Sequence, residues 1–206
     1  MMKAFYRTGW LVARIFLRVM YGLKIVDEPK IPRTGPVIVA SNHQSYFDPP
    51  ALGSSISREM HFFAKKELFD VFFLGWLIRQ FNSIPVRRGV YDPASLNRVA
   101  EALEAGGGLI MFPEGTRGDG KTLMEPKPGI GMIAKRARPS IVPAYISGTD
   151  NLGKAFWRRP RARLIFGDPM KPEEVDSFED NKDGYRALAR AVMERIGQLK
   201  RSVAIE

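Results

Sequence analysis

Short apolar runs alternate with amphipathic stretches along this chain, and most of a fold can be read from that alternation. "PVIVAS" (36–41), "SIPV" (83–86), "LIMF" (109–112) and "IVPAYI" (141–146) are brief, rich in β-branched or aromatic residues and bounded by turn residues, the pattern of buried strands. "RARLIF" (161–166) alternates Arg161 and Arg163 with Ala162 and Leu164, which predicts a strand with one basic face. Helical patterns lie between these runs. In "DPASLNRVAEALEAGGG" Asp92 can cap a helix, Pro93 suits its first position, Val99 and Leu103 share a face and Gly106 stops it. "GIGMIAKRA" (129–137) reads as a short helix, and from Asn181 onward Tyr185, Leu188, Ala189, Val192, Met193 and Ile196 recur at helical spacing. The aromatic segment from His61 to Phe81 is expected to be a buried or interface-facing helical region, because its charge-free run from Val71 to Ile78 is too short to span a bilayer. This alternation predicts a single α/β domain, with a largely parallel or mixed sheet flanked by helices and binding loops at the strand ends.

Residues 1–25 form a separate N-terminal segment, with the α/β domain at 26–206. At about 100° per residue, Lys3, Arg7, Arg14 and Arg18 fall on one narrow stripe shared with Leu11. Phe5, Trp10, Val12, Ile15, Phe16 and Val19 spread around the rest. The charges are too regularly placed for a signal peptide and too many for a membrane span. An amphipathic helix lying in a membrane interface fits, as does one packing its apolar face on the protein's own core.

Composition narrows the chemistry. Lys and Arg total 32 against 22 Asp and Glu, a formal charge of +10, which suggests an anionic partner: nucleic acid, an acidic membrane face or a phosphorylated substrate. With no cysteine there is no disulfide or thiolate nucleophile, and two histidines, His43 and His61, do not make a His-rich metal centre. His61 is expected to be structural. "GTDNLGKA" (148–155) nearly spells a phosphate-binding loop but lacks the Ser or Thr that would hold magnesium, and "FWRRPR" follows where a helix should open.

The stretch "NHQSYFDPP" (42–50) follows the first apolar run. Five residues separate His43 from Asp48, an offset that puts them on different faces of a helix or a strand, so the two can meet only across a turn. Pro49 and Pro50 make such a turn expected. A carboxylate on one imidazole nitrogen would leave the other free to take a proton from a hydroxyl. Alone, the pair fits a backbone-bonded turn better than a catalytic one. Further along, "FPEGTR" (112–117) follows a strand with a glycine and an arginine suited to an anion, "SIPVRRG" ends another strand with Arg87 and Arg88, and "IVPAY" sets Pro143 at the tip of a third.

These four blocks, in this order and covering about Pro36 to Tyr145, resemble those of the glycerolipid acyltransferase family, which includes the 1-acylglycerol-3-phosphate acyltransferases. The resemblance implies acyl transfer from acyl-CoA or acyl-acyl carrier protein to the sn-2 hydroxyl of lysophosphatidic acid, giving phosphatidic acid. Another lysophospholipid or glycerol 3-phosphate as acceptor, or a non-catalytic anionic-lipid-binding protein, are the competing readings. The implied general base is His43, with Asp48 as its orienting partner. The implied substrate-binding residues are Arg87, Arg88, Glu114, Gly115, Thr116 and Arg117, with Pro143 positional. Lys65 is a further candidate for phosphate, with Lys66, Lys121 and Lys127, against the stronger expectation of solvated surface lysines. No metal, no cofactor beyond the acyl donor and no nucleic acid are implied. The expected location is peripheral, on the cytoplasmic face of the inner membrane, against an anionic surface.

Overall fold

A computed structural model describes residues 3–87, 92–150 and 162–205. Arg88 and Arg161 lie outside the described residues. The core is a seven-stranded sheet built from β1 (Lys24–Val26), β2 (Val37–Ser41), β3 (Met60–Lys65), β4 (Ser83–Val86), β5 (Gly108–Met111), β6 (Ser140–Ser147) and β7 (Arg163–Phe166). Their order in the sheet is β1-β7-β6-β2-β5-β3-β4. Five neighbours from β6 to β4 run parallel, while β7 pairs antiparallel with β6 and carries β1 parallel to itself at the edge. The mixed α/β sheet matches the expectation.

Every residue of β2 is buried, because helices cover both faces of the sheet. The period of two divides its side chains: Ile38 and Ala40 join one core cluster, Val37 and Val39 the other. The first cluster is closed by α4 (Pro93–Glu104), α5 (Gly129–Ala137), α6 (Pro172–Asp176) and α7 (Lys182–Ile205), with Val99, Leu103, Ile130, Ile133, Leu188 and Val192 inside it. The second is closed by α1 (Ala4–Tyr21) and α2 (Asp48–Ser55), through Leu17, Ala51 and Leu52. Asp92 caps α4 as its sequence predicts, accepting the Ser95 N–H at 3.2 Å.

Three elements differ from the sequence reading. The segment His61–Phe81 is not one helical region but β3, a 3-10 turn at Lys66–Phe69 and α3 (Phe72–Gln80). A continuous aromatic run carries no clear period, and pairing decided it: Met60–Phe62 lie against Gly108–Ile110, and Phe62–Lys65 against Ser83–Val86. Pro49 and Pro50 do not merely turn the chain; they occupy the first turn of α2, where a missing N–H costs nothing. Pro143 sits mid-strand in β6 opposite Ala40, not at its tip. Its carbonyl accepts the Gly167 N–H, and antiparallel pairing with β7 begins only at Ala144. The absent donor thus falls where the ladder opens.

α1 ends at Tyr21, where Gly22 turns the chain in the left-handed conformation. One flank of this helix packs on the protein's own core. Tyr6 and Leu17 are buried; the Trp10 indole N–H donates to the Ile56 carbonyl at 2.8 Å, and Arg14 donates to the Ser54 carbonyl. On the opposite flank Val12 (62% exposed), Ile15, Phe16 and Val19 (70%) face outward. Phe5 meets Trp76 of α3 edge-on at 5.4 Å, and Phe72 beside it is 95% exposed. Among the described residues, no helix is long and apolar enough to cross a membrane.

Candidate active site

The parallel strands deliver their C-terminal ends to one edge of the sheet, and the site is assembled there from four loops. Beyond β2, the Asn42 amide grips β6 in both directions: Oδ1 accepts the Ile146 N–H at 2.8 Å and Nδ2 donates to the Ile146 carbonyl at 2.9 Å. The next residue, His43, is tied through its backbone to the loop after β5. Its N–H donates to Glu114 Oε1 at 3.1 Å, and its carbonyl accepts the Gly118 N–H at 2.7 Å. Its ring stacks on Phe112, with centroids 4.1 Å apart and planes 17° from parallel.

The turn between His43 and Asp48 brings the pair together. His43 Nδ1 lies 2.8 Å from Asp48 Oδ2, with Asp48 wholly buried and His43 8% exposed. Asp48 Oδ2 also accepts the backbone N–H groups of Gln44 (2.7 Å) and Ser45 (2.8 Å), so the carboxylate closes over the loop it anchors. A carboxylate can only accept, which assigns the imidazole proton to Nδ1 and leaves the Nε2 lone pair available. His43 lines a cleft of about 580 Å³, and Nε2 is the ring nitrogen that can serve it.

One wall of the cleft is apolar, formed by Phe62, Phe63, Ile110, Met111, Met132 and Ile133. Arg87, at the end of β4, and Lys127 supply positive charge, and Gly115 lines the floor. Gly115 has φ +68°, and an added Cβ would come within 2.8 Å of the Lys127 side chain, so the glycine lets that lysine lie across the loop. A smaller hollow of about 260 Å³, lined by Lys66, Arg87 and Arg98, adjoins the cleft through Arg87.

The remaining expected residues are distributed unequally. Glu114 is 2% exposed and does not line the cleft; besides the His43 N–H it accepts that of Met124. Burial pushes its carboxyl up, opposed by those two N–H donors. Arg117 stacks its guanidinium on Tyr46, 3.5 Å from the ring centroid, and Thr116 is exposed beside it. Lys65 is exposed and pairs with Glu67 at 3.6 Å, outside the cleft lining. Pro143, interior to β6, also lines no part of it. His61 Nδ1 lies 3.1 Å from the Gly108 carbonyl, a contact within the sheet.

Asn42, Phe112 and Thr149 carry more of the geometry than sequence reasoning assigned them. Thr149 lies in "GTDNLGKA", dismissed as an imperfect phosphate loop, yet its hydroxyl donates to Asp48 Oδ1 at 2.5 Å. The available signal was position: it stands just after a strand end, where this architecture places its functional loops.

Comparison with known proteins agrees with this arrangement. The acyltransferase family matches residues 22–147, a span that holds the dyad, the cleft loops and all of β2 to β6. A 1-acyl-sn-glycerol-3-phosphate acyltransferase of Bacillus subtilis is 27% identical over 188 residues, covering 91% of this chain and 92% of that protein. A lyso-ornithine lipid O-acyltransferase of Pseudomonas aeruginosa is 31% identical over 141 residues, 68% of this chain and 53% of that protein. The crystal structure of a 1-acyl-sn-glycerophosphate (LPA) acyltransferase from Thermotoga maritima superposes with a TM-score of 0.71 at 25% identity, covering 97% of this chain and 84% of that one. By its matched span, its sheet and the dyad at the sheet's edge, the chain belongs to the acyltransferase family.

Proposed function

We propose that this acyltransferase moves a fatty acyl group from a thioester, acyl-CoA or acyl-acyl carrier protein, to the sn-2 hydroxyl of lysophosphatidic acid. The observation that carries this reading is the His43–Asp48 pair on a cleft that is apolar along one wall and basic at Arg87 and Lys127. His43 Nε2 takes the proton of the acceptor hydroxyl as its oxygen attacks the thioester carbonyl. The carbon–oxygen bond forms, the tetrahedral oxyanion collapses, the carbon–sulfur bond breaks, and the leaving thiolate recovers the proton from the imidazolium. Products are phosphatidic acid and free thiol. General-base assistance of this kind contributes roughly 10²- to 10⁴-fold in rate.

Arg87 and Lys127 take the acceptor phosphate in this proposal, with Arg88 and Arg117 joining them; their forked or mobile donors suit a phosphate monoester. Glu114 holds the His43 backbone in place, and Gly115 and Thr116 shape the loop around it. The apolar wall receives an acyl chain. The outward flank of α1, continued by Phe72 and Trp76 of α3 and edged by the exposed Arg7 and Arg18, suits peripheral binding to an anionic membrane, at the cytoplasmic face of the inner membrane.

The names of the Bacillus subtilis and Thermotoga maritima proteins support this acceptor. The name of the Pseudomonas aeruginosa relative favours a second reading, in which another lysolipid is acylated. The test is thiol release from acyl-CoA and from acyl-acyl carrier protein, with lysophosphatidic acid and lyso-ornithine lipid supplied in parallel. Release that needs lysophosphatidic acid and disappears in a folded His43→Ala variant is expected. Undiminished release in that variant would overturn the mechanism, and release only with the other lysolipid would overturn the acceptor.

A further inference from the structure

Asp48 is buried completely, so each of its oxygens must find its donors within the protein. Oδ2 has the His43 ring and two backbone N–H groups, all on one side of the carboxylate. A terminal carboxylate torsion is broad and roughly two-fold, so contacts at one oxygen leave the plane of the group weakly fixed. The other oxygen, Oδ1, receives the Thr149 hydroxyl. That hydroxyl has one proton to give, and its direction is set by Gln44: the side-chain amide of Gln44 donates to Thr149 Oγ1 at 2.9 Å, which turns the Thr149 proton towards Asp48. Gln44 also donates its backbone N–H to Asp48 Oδ2, so the three residues form a closed ring of hydrogen bonds. Thr149 is 1% exposed, and it is carried by the loop that leaves β6 three residues beyond Ile146, the residue gripped by Asn42. The loop bearing Thr149 is therefore registered to the same residue pair, Asn42–His43, whose ring it serves.

We infer that Thr149, which lies outside the four sequence blocks and outside the matched span, is a positioning residue for acyl transfer. It fixes the plane of the Asp48 carboxylate, and through Asp48 the tautomer and orientation of His43. The inference rests on the general-base role proposed for His43. A hydroxyl that merely filled a polar vacancy would influence folding but not the ring proton; a hydroxyl that sets the carboxylate plane must influence both. Val has nearly the shape of Thr without the donor, and Ser keeps the donor without the methyl group.

The experiment compares the full chain with its Thr149→Val and Thr149→Ser variants in thiol-release kinetics, thermal melting and nitrogen NMR of the histidine rings. The spectrum is simple, since the chain has two histidines. Expected for Thr149→Val is a fall in kcat of roughly 10- to 100-fold, by analogy with the loss of an outer hydrogen-bond partner behind a metal ligand. The acceptor KM should stay at its wild-type value, Thr149→Ser should recover most of the activity, and the His43 proton should spread from Nδ1 to both ring nitrogens in the valine variant. Wild-type kcat in Thr149→Val would overturn the inference. So would equal impairment in Thr149→Ser, or a lost activity accompanied by an unchanged Nδ1–H signal. If the valine variant does not fold, Thr149→Ala takes its place, since it also removes the hydroxyl donor to Asp48; unchanged kcat and ring signals there overturn the inference as well. Should the wild type transfer no acyl group to any acceptor, the proposed function fails, and the ring-proton comparison still decides the role of Thr149.

Discussion

Replacing Asp48 by Asn separates the charge of the dyad from its shape. In the native site three N–H donors converge on Oδ2 and a single hydroxyl reaches Oδ1. The new amide therefore places its carbonyl at the crowded position and its NH₂ towards Thr149 Oγ1, which accepts it beside the Gln44 amide while the hydroxyl proton turns away from residue 48. The imidazole keeps its proton on Nδ1, and the turn keeps its closure. What disappears is the negative charge that, in the proposed mechanism, stabilises the imidazolium as it forms. With 2.8 Å between the bonded atoms and the charges spread over both groups, the effective separation is about 4 Å, which corresponds to roughly 4 kcal/mol at an effective dielectric of about 20. At about 1.4 kcal/mol per decade that is close to 10³-fold, and the dipole of the remaining carbonyl recovers part of it, so kcat should fall by about 10²- to 10³-fold. Stability should change far less. Weaker hydrogen bonds and a lost carboxylate at the first turn of α2 are offset by the relief of a buried charge, leaving about 2 kcal/mol or less. Thiol-release kinetics beside a thermal melt measure both quantities. A variant with wild-type kcat would refute the role of the charge, and one that fails to fold would refute the donor arrangement on which the amide's orientation depends.

Two further outcomes follow from features away from the dyad. Val12→Glu with Ile15→Glu places charge on the exposed flank of α1, so binding to anionic vesicles should fall sharply while the melting temperature holds; unchanged co-sedimentation would return that flank to a bare surface. Tyr6 is buried against the Met60 N–H, and burial pushes its phenol up to about 12 from the ordinary 10.0. Its contribution is fully present below pH 10 and is lost as pH rises through 12, because the unfolded chain ionises first. On the order of 2 kcal/mol more stability should therefore drain away across that window in the wild type than in Tyr6→Phe, which keeps the loss due to the buried Tyr145, as read by denaturant unfolding at successive pH values. Parallel curves for the two proteins would contradict it.

The strands β2, β5 and β6 were legible because each is a short apolar run closed by turn residues, and the sheet's burial on both faces requires that pattern. The His43–Asp48 pair was legible because its spacing demands a bend and its prolines make one. The His61–Phe81 segment was not, since a run apolar on both sides fits a strand between two others as well as a helix, and only the pairing with Gly108–Ile110 and Ser83–Val86 distinguishes them. Projection of α1 recovered its basic stripe but not which flank is buried, which depends on Ser54, Ile56 and Met60 as neighbours. Thr149 and Asn42 reach partners 101 and 104 positions away, and separations of that size leave no local pattern. Glu114 was read as a group that meets substrate; its carboxylate instead spans two backbone N–H groups inside the protein, a role that its neighbours in sequence do not reveal.

If the outward flank of α1 seats the enzyme on a membrane as proposed, a kinetic consequence follows. An enzyme seated on it searches for its lipid in two dimensions, where encounters depend on how many acceptor molecules share the surface and not on how many are present in the tube. Diluting the acceptor with inert lipid at constant bulk concentration should then slow turnover, whereas adding more vesicles of the same composition, once all enzyme is bound, should leave the rate unchanged. The thioester donor of the proposed reaction would still arrive from the third dimension and follow ordinary saturation. Two substrates of one reaction would thus be governed by two different units of concentration, a division set by which side of one eighteen-residue helix faces out.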